Sequence, residues 1–155
     1  MSDGACADKR HMRRLAVALV LFALIAAAPA SAIIRPQKGM SGVTLGMTKA
    51  QVRARLGSPI GSGGGRLYFA RVWVGFRLGR AVEITTTRSS EHTGSGVGVD
   101  SSEAAVHHAF PSVACAASGG FRRCRLGSGQ PGTRATDFLI GHGRVLQITI
   151  SLLPG

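Results

Sequence analysis

The sequence predicts an α+β fold of two tandem repeats, each made of one short helix followed by a three- or four-stranded antiparallel meander. Two internal matches support this prediction. Residues 41–56 align with 95–110 at an offset of 54, and residues 74–85 align with 138–149 at an offset of 64. Because both matches occur in the same order along the chain, they indicate two copies of one structural unit.

The domain organisation follows from these matches. A unit of about 50 residues buries too little apolar surface to be stable alone, so the two repeats are expected to share a continuous or stacked sheet. The second copy is longer by ten residues, since the offset between the copies grows from 54 in the first match to 64 in the second. The predicted parts are a signal peptide at 1–32, an N-terminal lead at 33–40, repeat 1 at 41–88, a linker at 89–94 and repeat 2 at 95–152.

The first 32 residues have the pattern of an export signal. Residues 15–28 are an uncharged apolar stretch of 14 residues, preceded by Arg13 and Arg14 and followed by Ala30-Ser31-Ala32. A positive start, a short apolar core and a small-residue exit are typical of a secretory signal peptide. The core is shorter than the roughly 20 residues of a membrane-spanning helix. We therefore expect a secreted or periplasmic protein cleaved after Ala32, the alternative being an uncleaved N-terminal anchor; Met12 is an alternative start.

Each repeat begins with a predicted helix. Thr48 and Gln51 have the spacing of a capping box, and Ser102 takes the place of Thr48 in the second copy. Both helices should carry one narrow apolar stripe, formed by two residues four positions apart: Val52 and Leu56 in the first, Val106 and Phe110 in the second.

Alternating apolar residues predict the strands that follow each helix. Turns are expected at Leu78-Gly79 in repeat 1 and at His142-Gly143 in repeat 2. The residues expected to face the core are Val72, Val74, Phe76, Val82 and Ile84 in repeat 1, and Phe138, Ile140, Leu146, Ile148 and Ile150 in repeat 2.

Two cysteines follow the export signal, Cys115 and Cys124, and an even count in an exported chain indicates a disulfide. Gly119-Gly120 lies midway between them and suits a two-residue hairpin turn with positive φ. Counting outward from that turn places the cysteines opposite each other on a non-hydrogen-bonded pair, whose Cα atoms are about 4.5 Å apart. The disulfide is expected to be structural, with a redox-active pair as the alternative.

The segment that opens the first repeat resembles two families of exported bacterial proteins. It is similar to the helix-opening motif of the SmpA/OmlA (BamE-like) envelope lipoproteins, and the duplicated architecture looks like the tandem-repeat β-lactamase inhibitory proteins (BLIP-like). The resemblance implies an exported, non-enzymatic, protein-binding role, although the chain lacks a lipobox cysteine after its apolar core. The residues that carry the resemblance are Gly46, Met47, Thr48, Val52, Leu56, Gly57 and Pro59.

Catalytic, cofactor and metal sites are not predicted. Acid–base chemistry needs converging carboxylates, a histidine network or a metal, and none has a recognisable spacing here. The adjacent His107 and His108 point about 100° apart on a helix, so they are not expected to share an ion. Glu83 is expected to be solvated on the outer face of its strand. We therefore expect a protein that is not an enzyme and has no cofactor.

The chain is basic, with 19 Lys+Arg against 7 Asp+Glu. Residues 33–155 keep 15 basic and 5 acidic residues, a net charge of +10. A basic chain is often a nucleic-acid-binding protein, but export and the scattered positions of the arginines argue against nucleic acid as the partner here. The alternatives that remain are a charged surface that aids solubility and electrostatic binding of anionic wall polymer or lipid.

Strand parity predicts a more specific surface. If Val72 and Val74 face the core, the residues between and beside them face the opposite side of the sheet. Trp and Arg are enriched at binding hot spots, so this helix-free face is a candidate protein-binding surface; a packing role for its tryptophan is the alternative. Its predicted members are Arg71, Trp73, Arg77 and Leu139.

The expected function is therefore a non-catalytic protein-interaction module of the bacterial envelope or medium, with an envelope or secreted protein as partner. The alternative is an electrostatic binder of anionic cell-wall polymer or of a lipid surface. The two differ in their response to salt, because screening weakens exposed charge interactions far more than a desolvated contact.

Overall fold

A computed structural model describes residues 33–155 of the chain. The predicted export signal at 1–32 lies outside these described residues. Of the helices within 33–155, neither is long or apolar enough to cross a membrane. In chain order the elements are β1 (Ile33–Ile34), β2 (Gly39–Met40), β3 (Val43–Thr44), α1 (Lys49–Leu56), β4 (Gly61–Gly63), β5 (Arg66–Tyr68), β6 (Trp73–Arg77), β7 (Arg80–Thr86), β8 (His92–Thr93), α2 (Glu103–Ala109), β9 (Ala114–Ser118), β10 (Phe121–Leu126), β11 (Arg134–Gly141) and β12 (Arg144–Leu152).

The main feature of the fold is one eight-stranded sheet with the order β4-β5-β6-β7-β12-β11-β10-β9. All of its neighbouring strands are antiparallel. In both halves of the chain a helix precedes four strands, and the halves meet where β7 pairs with β12. The prediction of a mixed fold with a largely antiparallel sheet is confirmed.

Both helices begin at the predicted caps. The Thr48 hydroxyl oxygen accepts a hydrogen bond from the Gln51 backbone N–H at 3.2 Å, and the Gln51 side-chain oxygen accepts one from the Thr48 N–H at 2.9 Å. The Ser102 hydroxyl likewise accepts from the Ala105 N–H at 3.1 Å. These contacts satisfy backbone donors that have no partner inside a helix, so the capping box predicted for α1 is confirmed.

The helices pack on one face of the sheet and form the core there. Val52 of α1 and Val106 of α2 are fully buried, and Phe110 stacks on Phe138 of β11 with ring centroids 5.6 Å apart. The narrow apolar stripe predicted for each helix is therefore sufficient, because each helix needs only one row of side chains against the sheet. The buried sheet residues they cover include Val74, Ile84, Phe138, Ile148 and Ile150.

Two of the predicted core positions are wrong. Val82 is half-buried and Leu146 is 38% exposed, whereas their neighbours Ala81 and Val145 are fully buried. The cause is a bulge in each hairpin. Gly75 pairs with Glu83 but Phe76 pairs with Ala81, so Val82 has no partner; Leu146 is skipped in the same way. An extra residue shifts the inward side by one position, which strict alternation does not anticipate.

The N-terminal lead and the linker are joined to each other. β1 of the lead pairs in parallel with β8 of the linker, Ile33 opposite His92 and Ile34 opposite Thr93. The lead is also tied to the main sheet, because the Gln37 backbone N–H donates to the Thr136 hydroxyl at 2.7 Å. Both segments, which were expected only to lead into and connect the repeats, are therefore part of the packed structure.

The hairpin that carries the disulfide has the predicted register. Phe121 pairs with Ser118, and Cys124 pairs with Cys115. The cysteines form a disulfide with Cα atoms 3.9 Å apart, and both residues of the Gly119-Gly120 turn have positive φ. The predicted disulfide is confirmed, and a disulfide is compatible with an extracytoplasmic location.

Candidate functional site

The sheet face opposite the helices carries a groove of about 780 Å³. Side chains from six adjacent strands, β5 to β7 and β10 to β12, line it. Alternate residues of a strand point to opposite faces of the sheet. In these strands the apolar residues of the alternation face the helices, so the side chains between them face the groove. The groove therefore lies on the helix-free face that strand parity predicts. We call it the sheet groove.

A single row of paired residues forms the floor of the sheet groove. In each of the six strands, one residue lies opposite its neighbour in the next strand, so the row crosses the seam between the two halves without interruption. The aromatic residues are at one end of the row and an ion pair is at the other. In order across the sheet, the row is Tyr68, Trp73, Thr85, Thr149, Asp137 and Arg125.

The centre of the row is polar but internally paired. The Thr85 and Thr149 hydroxyl oxygens are 3.1 Å apart across the seam, and the Gln147 amide donates to the Thr149 hydroxyl at 3.1 Å. Thr85 is almost completely buried. A buried hydroxyl without a partner would cost about 1–3 kcal/mol, so this pairing lets polar residues occupy the middle of the sheet.

At the end opposite the aromatic residues, the row contains an ion pair joined by two hydrogen bonds. Arg125 Nε donates to one Asp137 carboxylate oxygen at 2.7 Å, and Arg125 Nη2 donates to the other at 2.7 Å. The side chains are 27% and 14% exposed, respectively. The hydrogen bond to Asp137 raises the pKa of Arg125 above its usual value, with the carboxylate charge acting in the same direction and burial opposing it. The guanidinium is therefore fixed in place as a permanent cation.

A second ion pair lies at the aromatic end. Arg66 Nε donates to the Glu83 carboxylate at 3.0 Å, and the side chains are 44% and 28% exposed. This hydrogen bond, and then the charge of Glu83, raises the pKa of Arg66. Glu83 was expected to be solvated, but it is paired and half-buried. Strand parity placed it on the correct face, whereas its partner on β5 could not be inferred without the strand order.

Three of the four residues predicted for the interaction surface line the sheet groove: Trp73, Arg77 and Leu139. Trp73 is half-buried in the floor. Arg71 is not part of the lining; it lies exposed in the bend before β6, and its carbonyl accepts from the Thr86 hydroxyl at 3.0 Å. Strand alternation does not extend to Arg71 because β6 begins at Trp73.

Sequence reasoning missed several groove residues, among them Tyr68 and Arg123. Tyr68 flanks Trp73 and is 37% exposed. The signal that could have found it is the alternation of Arg66, Leu67 and Tyr68, in which only Leu67 is buried. The charged residues of the lining are Arg66, Arg77, Arg123 and Arg125 against Glu83 and Asp137. The sheet groove therefore has an excess of positive charge.

A separate cluster of chemically reactive side chains lies on the helix side of the sheet. The ligand atoms of Glu103, His107, Cys115 and Cys124 all lie within 4.8 Å of one another. His107 Nε2 is 3.4 Å from Cys115 Sγ and 3.8 Å from the Glu103 carboxylate. We call these four residues the Cys–His cluster. No metal-binding spacing was recognisable in the sequence, because these residues come from a helix and a hairpin that meet only in the folded chain.

One carboxylate is buried outside both sites. Glu91, in the linker, has no exposed surface. One of its oxygens accepts a hydrogen bond from the Ser41 hydroxyl, while Oε2 has no hydrogen-bond partner among the described residues. Burial raises the pKa of Glu91, and the Ser41 hydrogen bond and the charge of Arg71 oppose that rise. Glu91 joins the linker to the turn between β2 and β3 through Ser41 and does not line the sheet groove.

Comparison with known proteins shows the fold and nothing further. No family model matches the chain, and no curated protein matches it. Among solved structures, the chain is similar to a DUF4309 family protein, YjgB, from Bacillus subtilis. The TM-score is 0.54 at 14% sequence identity, and the match covers 79% of this chain and 88% of that one. At this identity the likeness concerns the arrangement of helices and strands alone.

Proposed function

We propose that this protein is an exported, non-catalytic interaction module that binds another protein of the bacterial envelope or medium through the sheet groove. The observation that carries this proposal is a groove of about 780 Å³ with Trp73, Tyr68 and arginines on a sheet face that the helices leave uncovered. Tryptophan, tyrosine and arginine dominate the binding energy of protein interfaces. Trp73 is half-buried in the floor of the groove and pairs with Thr85 of the neighbouring strand. Its ring is therefore already positioned to contact a partner.

The charge of the groove favours a partner with an acidic segment. Four arginines and two carboxylates line it. Arg66 and Arg125 are each paired with a carboxylate, so Arg77 and Arg123 supply the excess positive charge. Leu139 adds apolar surface beside them. An acidic partner segment with at least one large apolar side chain would complement both features.

A non-catalytic role is supported by the state of the groove carboxylates. Glu83 and Asp137 each accept hydrogen bonds from an arginine. Each carboxylate is thus already engaged by a side chain of the protein itself. The two groups therefore contribute to structure and charge.

Export is supported by the apolar stretch and the Ala30-Ser31-Ala32 exit in the sequence. The disulfide in the described part of the chain fits an oxidising compartment. We propose that the chain is cleaved after Ala32 and acts outside the cytoplasm. The resemblance of the segment from Gly46 to Pro59 to SmpA/OmlA and BLIP-like proteins points in the same direction.

We further propose that the fold arose by duplication of one helix-and-meander unit. Equivalent backbone contacts recur in the two halves. The Gly46 N–H donates to the Ala81 carbonyl at 2.7 Å, and the Asp100 N–H donates to the Val145 carbonyl at 2.8 Å. These residues are related by the same offsets, 54 and 64, as the internal sequence matches. The bulges at Val82 and Leu146 are related by 64 as well.

The second candidate function is electrostatic binding of an anionic wall polymer or lipid surface. It rests on the ratio of 15 basic to 5 acidic residues in 33–155. This function would depend on the number of arginines and not on the shape of the sheet groove. The two functions therefore make opposite predictions for salt and for groove substitutions.

The test is a binding experiment with matched baits. Oxidised protein 33–155, which contains the whole sheet and both helices, is immobilised and exposed to envelope extract at about 0.1 M and about 1 M salt, where the screening lengths are about 10 Å and 3 Å. Parallel baits carry Trp73→Ala, Leu139→Ala or, as the control, Ile60→Ala. Ile60 is 77% exposed and lies outside the groove, so its substitution also removes exposed apolar surface.

We expect the wild-type bait to retain a discrete protein at high salt. Binding of that protein should be lost with the Trp73→Ala and Leu139→Ala baits and kept with the Ile60→Ala bait. Retention of polymer or lipid that washes away at high salt, equally for all baits, would support the second function. A Trp73→Ala bait that no longer folds, judged by circular dichroism, would show that Trp73 is a packing residue, and Leu139→Ala would then decide.

A further inference from the structure

The Cys–His cluster has the composition of a zinc site. Glu103 and His107 are one turn apart on α2, and Cys115 and Cys124 face them from the hairpin of β9 and β10. We propose that this cluster binds a Zn²⁺ ion when the disulfide is reduced, through both thiolates, His107 Nε2 and a Glu103 carboxylate oxygen. Two sulfurs, one imidazole and one carboxylate are a ligand set suited to tetrahedral zinc.

The distances fit such a site without movement of the elements. Zinc binds sulfur at about 2.3 Å, imidazole nitrogen at about 2.0–2.1 Å and carboxylate oxygen at about 2.0–2.2 Å. The edges of that tetrahedron are about 3.3–3.8 Å long. His107 Nε2 already lies 3.4 Å from Cys115 Sγ and 3.8 Å from the Glu103 oxygen, and all four ligand atoms fall within 4.8 Å of one another.

The hairpin would hold the two sulfurs together after their bond is broken. Cys115 and Cys124 are directly opposite each other, and Gly119-Gly120 closes the hairpin. Directly opposed residues project on the same face of a hairpin. Both thiolates would therefore remain on the side that faces α2. Separation of the sulfurs by side-chain rotation would open the space for one ion between them.

The surroundings complete the site. Two thiolates and one carboxylate bound to Zn²⁺ carry a net charge of −1, and Arg122 Nε, 3.0 Å from the Glu103 oxygen, supplies a compensating cation. Partners of this kind orient the metal ligands. Cys124 is fully buried, whereas the His107 side chain is 46% exposed. Cys124 is thus shielded from water while Cys115 is partly exposed, and the ion can enter past the histidine.

Disulfide and metal exclude each other by stoichiometry. A dithiol reductant gives two electrons and two protons to the disulfide, yielding two protein thiols and an oxidised, cyclic reductant. Zn²⁺ then displaces one proton from each thiol as two Zn–S bonds form. Thiol–disulfide exchange with an oxidised small-molecule disulfide reverses these steps: the two thiolates give up two electrons and re-form the Cys115–Cys124 bond, the small disulfide takes up those electrons and two protons to become two thiols, and the ion is released. The cysteines can therefore be joined by a covalent bond or by zinc, but not by both at once.

The experiment is a zinc titration of the full chain in a Cys6→Ser background, so that Cys115 and Cys124 are the thiols present. The protein is reduced with a phosphine, which takes up an oxygen atom from water, and Zn²⁺ is titrated against a chromophoric chelator. One ion per reduced chain is expected, with binding at least about 100-fold weaker in the oxidised protein. Co²⁺ in place of zinc should give the absorption bands of a tetrahedral dithiolate site.

Substitutions separate the four-ligand site from simple thiol binding. His107→Ala and Glu103→Gln should each weaken zinc binding by about tenfold or more. His108→Ala is the matched control, because His108 is also exposed on α2 but is not one of the four ligands. Absence of zinc binding in the reduced protein, or equal affinity in all three variants, would overturn the proposal. Circular dichroism of each reduced sample shows whether the fold is kept.

Discussion

Arg125 and Asp137 face each other across two adjacent strands and are joined by two parallel hydrogen bonds of 2.7 Å. They close one end of the floor of the sheet groove, at the opposite end from Trp73. A planar guanidinium matched to a carboxylate in this way gains geometric specificity as well as energy. The pair is also less exposed than the Arg66–Glu83 pair in the same groove, which makes the two pairs a natural comparison.

Asp137→Asn should lower the free energy of unfolding by about 1–3 kcal/mol, because it leaves the Arg125 guanidinium partly buried beside a neutral amide. Glu83→Gln should cost less than about 1 kcal/mol, since its partner Arg66 is 44% exposed and can be hydrated. Urea denaturation of both variants at neutral pH measures the difference. Equal losses would mean that burial does not set the strength of these pairs.

Glu91 should make stability depend on pH in the opposite direction from a salt-bridged carboxylate. Its pKa is raised in the folded protein by burial, so the folded chain binds a proton at pH values where the unfolded chain does not. Stability should therefore fall as pH rises from the ordinary value of 4.5 through the raised pKa. The free energy of unfolding, measured from pH 4.5 to 8, should show this slope, and Glu91→Gln should flatten it.

The Ser41 hydroxyl gives a second test of Glu91. Its hydrogen bond favours the charged carboxylate and opposes the rise in pKa. Ser41→Ala should therefore raise the pKa of Glu91 further and move the pH-dependent window upward. A slope that is the same in wild type and Glu91→Gln would assign the pH dependence to other groups.

Thr48→Ala should destabilise the protein by about 1 kcal/mol, because Thr48 accepts the Gln51 N–H at the start of α1. Thermal unfolding provides the measurement. Ser58→Ala is the control, since Ser58 is exposed in the loop after α1 and should change stability by less than about 0.5 kcal/mol. A loss for Ser58→Ala as large as for Thr48→Ala would remove the capping explanation.

Leu78→Asn should stabilise the protein by about 1 kcal/mol. Leu78 has φ of 51° and a side chain that is 97% exposed, so it bears the cost of a left-handed backbone without burying apolar surface. Asn-Gly is the preferred pair for such a hairpin turn. His142→Asn, at the corresponding turn, should gain less because histidine tolerates positive φ better than leucine. Chemical denaturation that shows no gain for Leu78→Asn would contradict this account.

Local signals in the sequence were reliable where one turn or one cap decides the structure. The Gly119-Gly120 turn sets the register of its hairpin, so the partners of Cys124 and Phe121 follow by counting. The Thr48 cap depends on contacts within four residues. Such features need no knowledge of the rest of the chain.

Alternation was less reliable over longer segments. A single unpaired residue at Val82 and another at Leu146 moved the buried side of β7 and β12 by one position. Bulges of this kind depend on how the strand fits its neighbours. The same limit explains Arg71, which lies one bend before the strand that would have carried it into the sheet groove.

Contacts between distant segments could not be predicted. The parallel pairing of β1 with β8, the burial of Glu91 and the approach of His107 to Cys115 each join segments that have no pattern in common. Trp73 and Leu139 reached the same groove because the central seam aligns the two halves. Their shared face was predictable from parity, but their shared groove required the strand order.

The seam between β7 and β12 has a consequence for how the chain folds. In the eight-stranded sheet, all other neighbours are consecutive strands of the described chain, whereas Thr85 and Thr149 are 64 positions apart. Closing a long loop costs more entropy than closing a hairpin, so we expect the local hairpins within each half to form faster than the pairing of β7 with β12. The groove floor, which crosses this seam, is then complete only when β7 and β12 have paired.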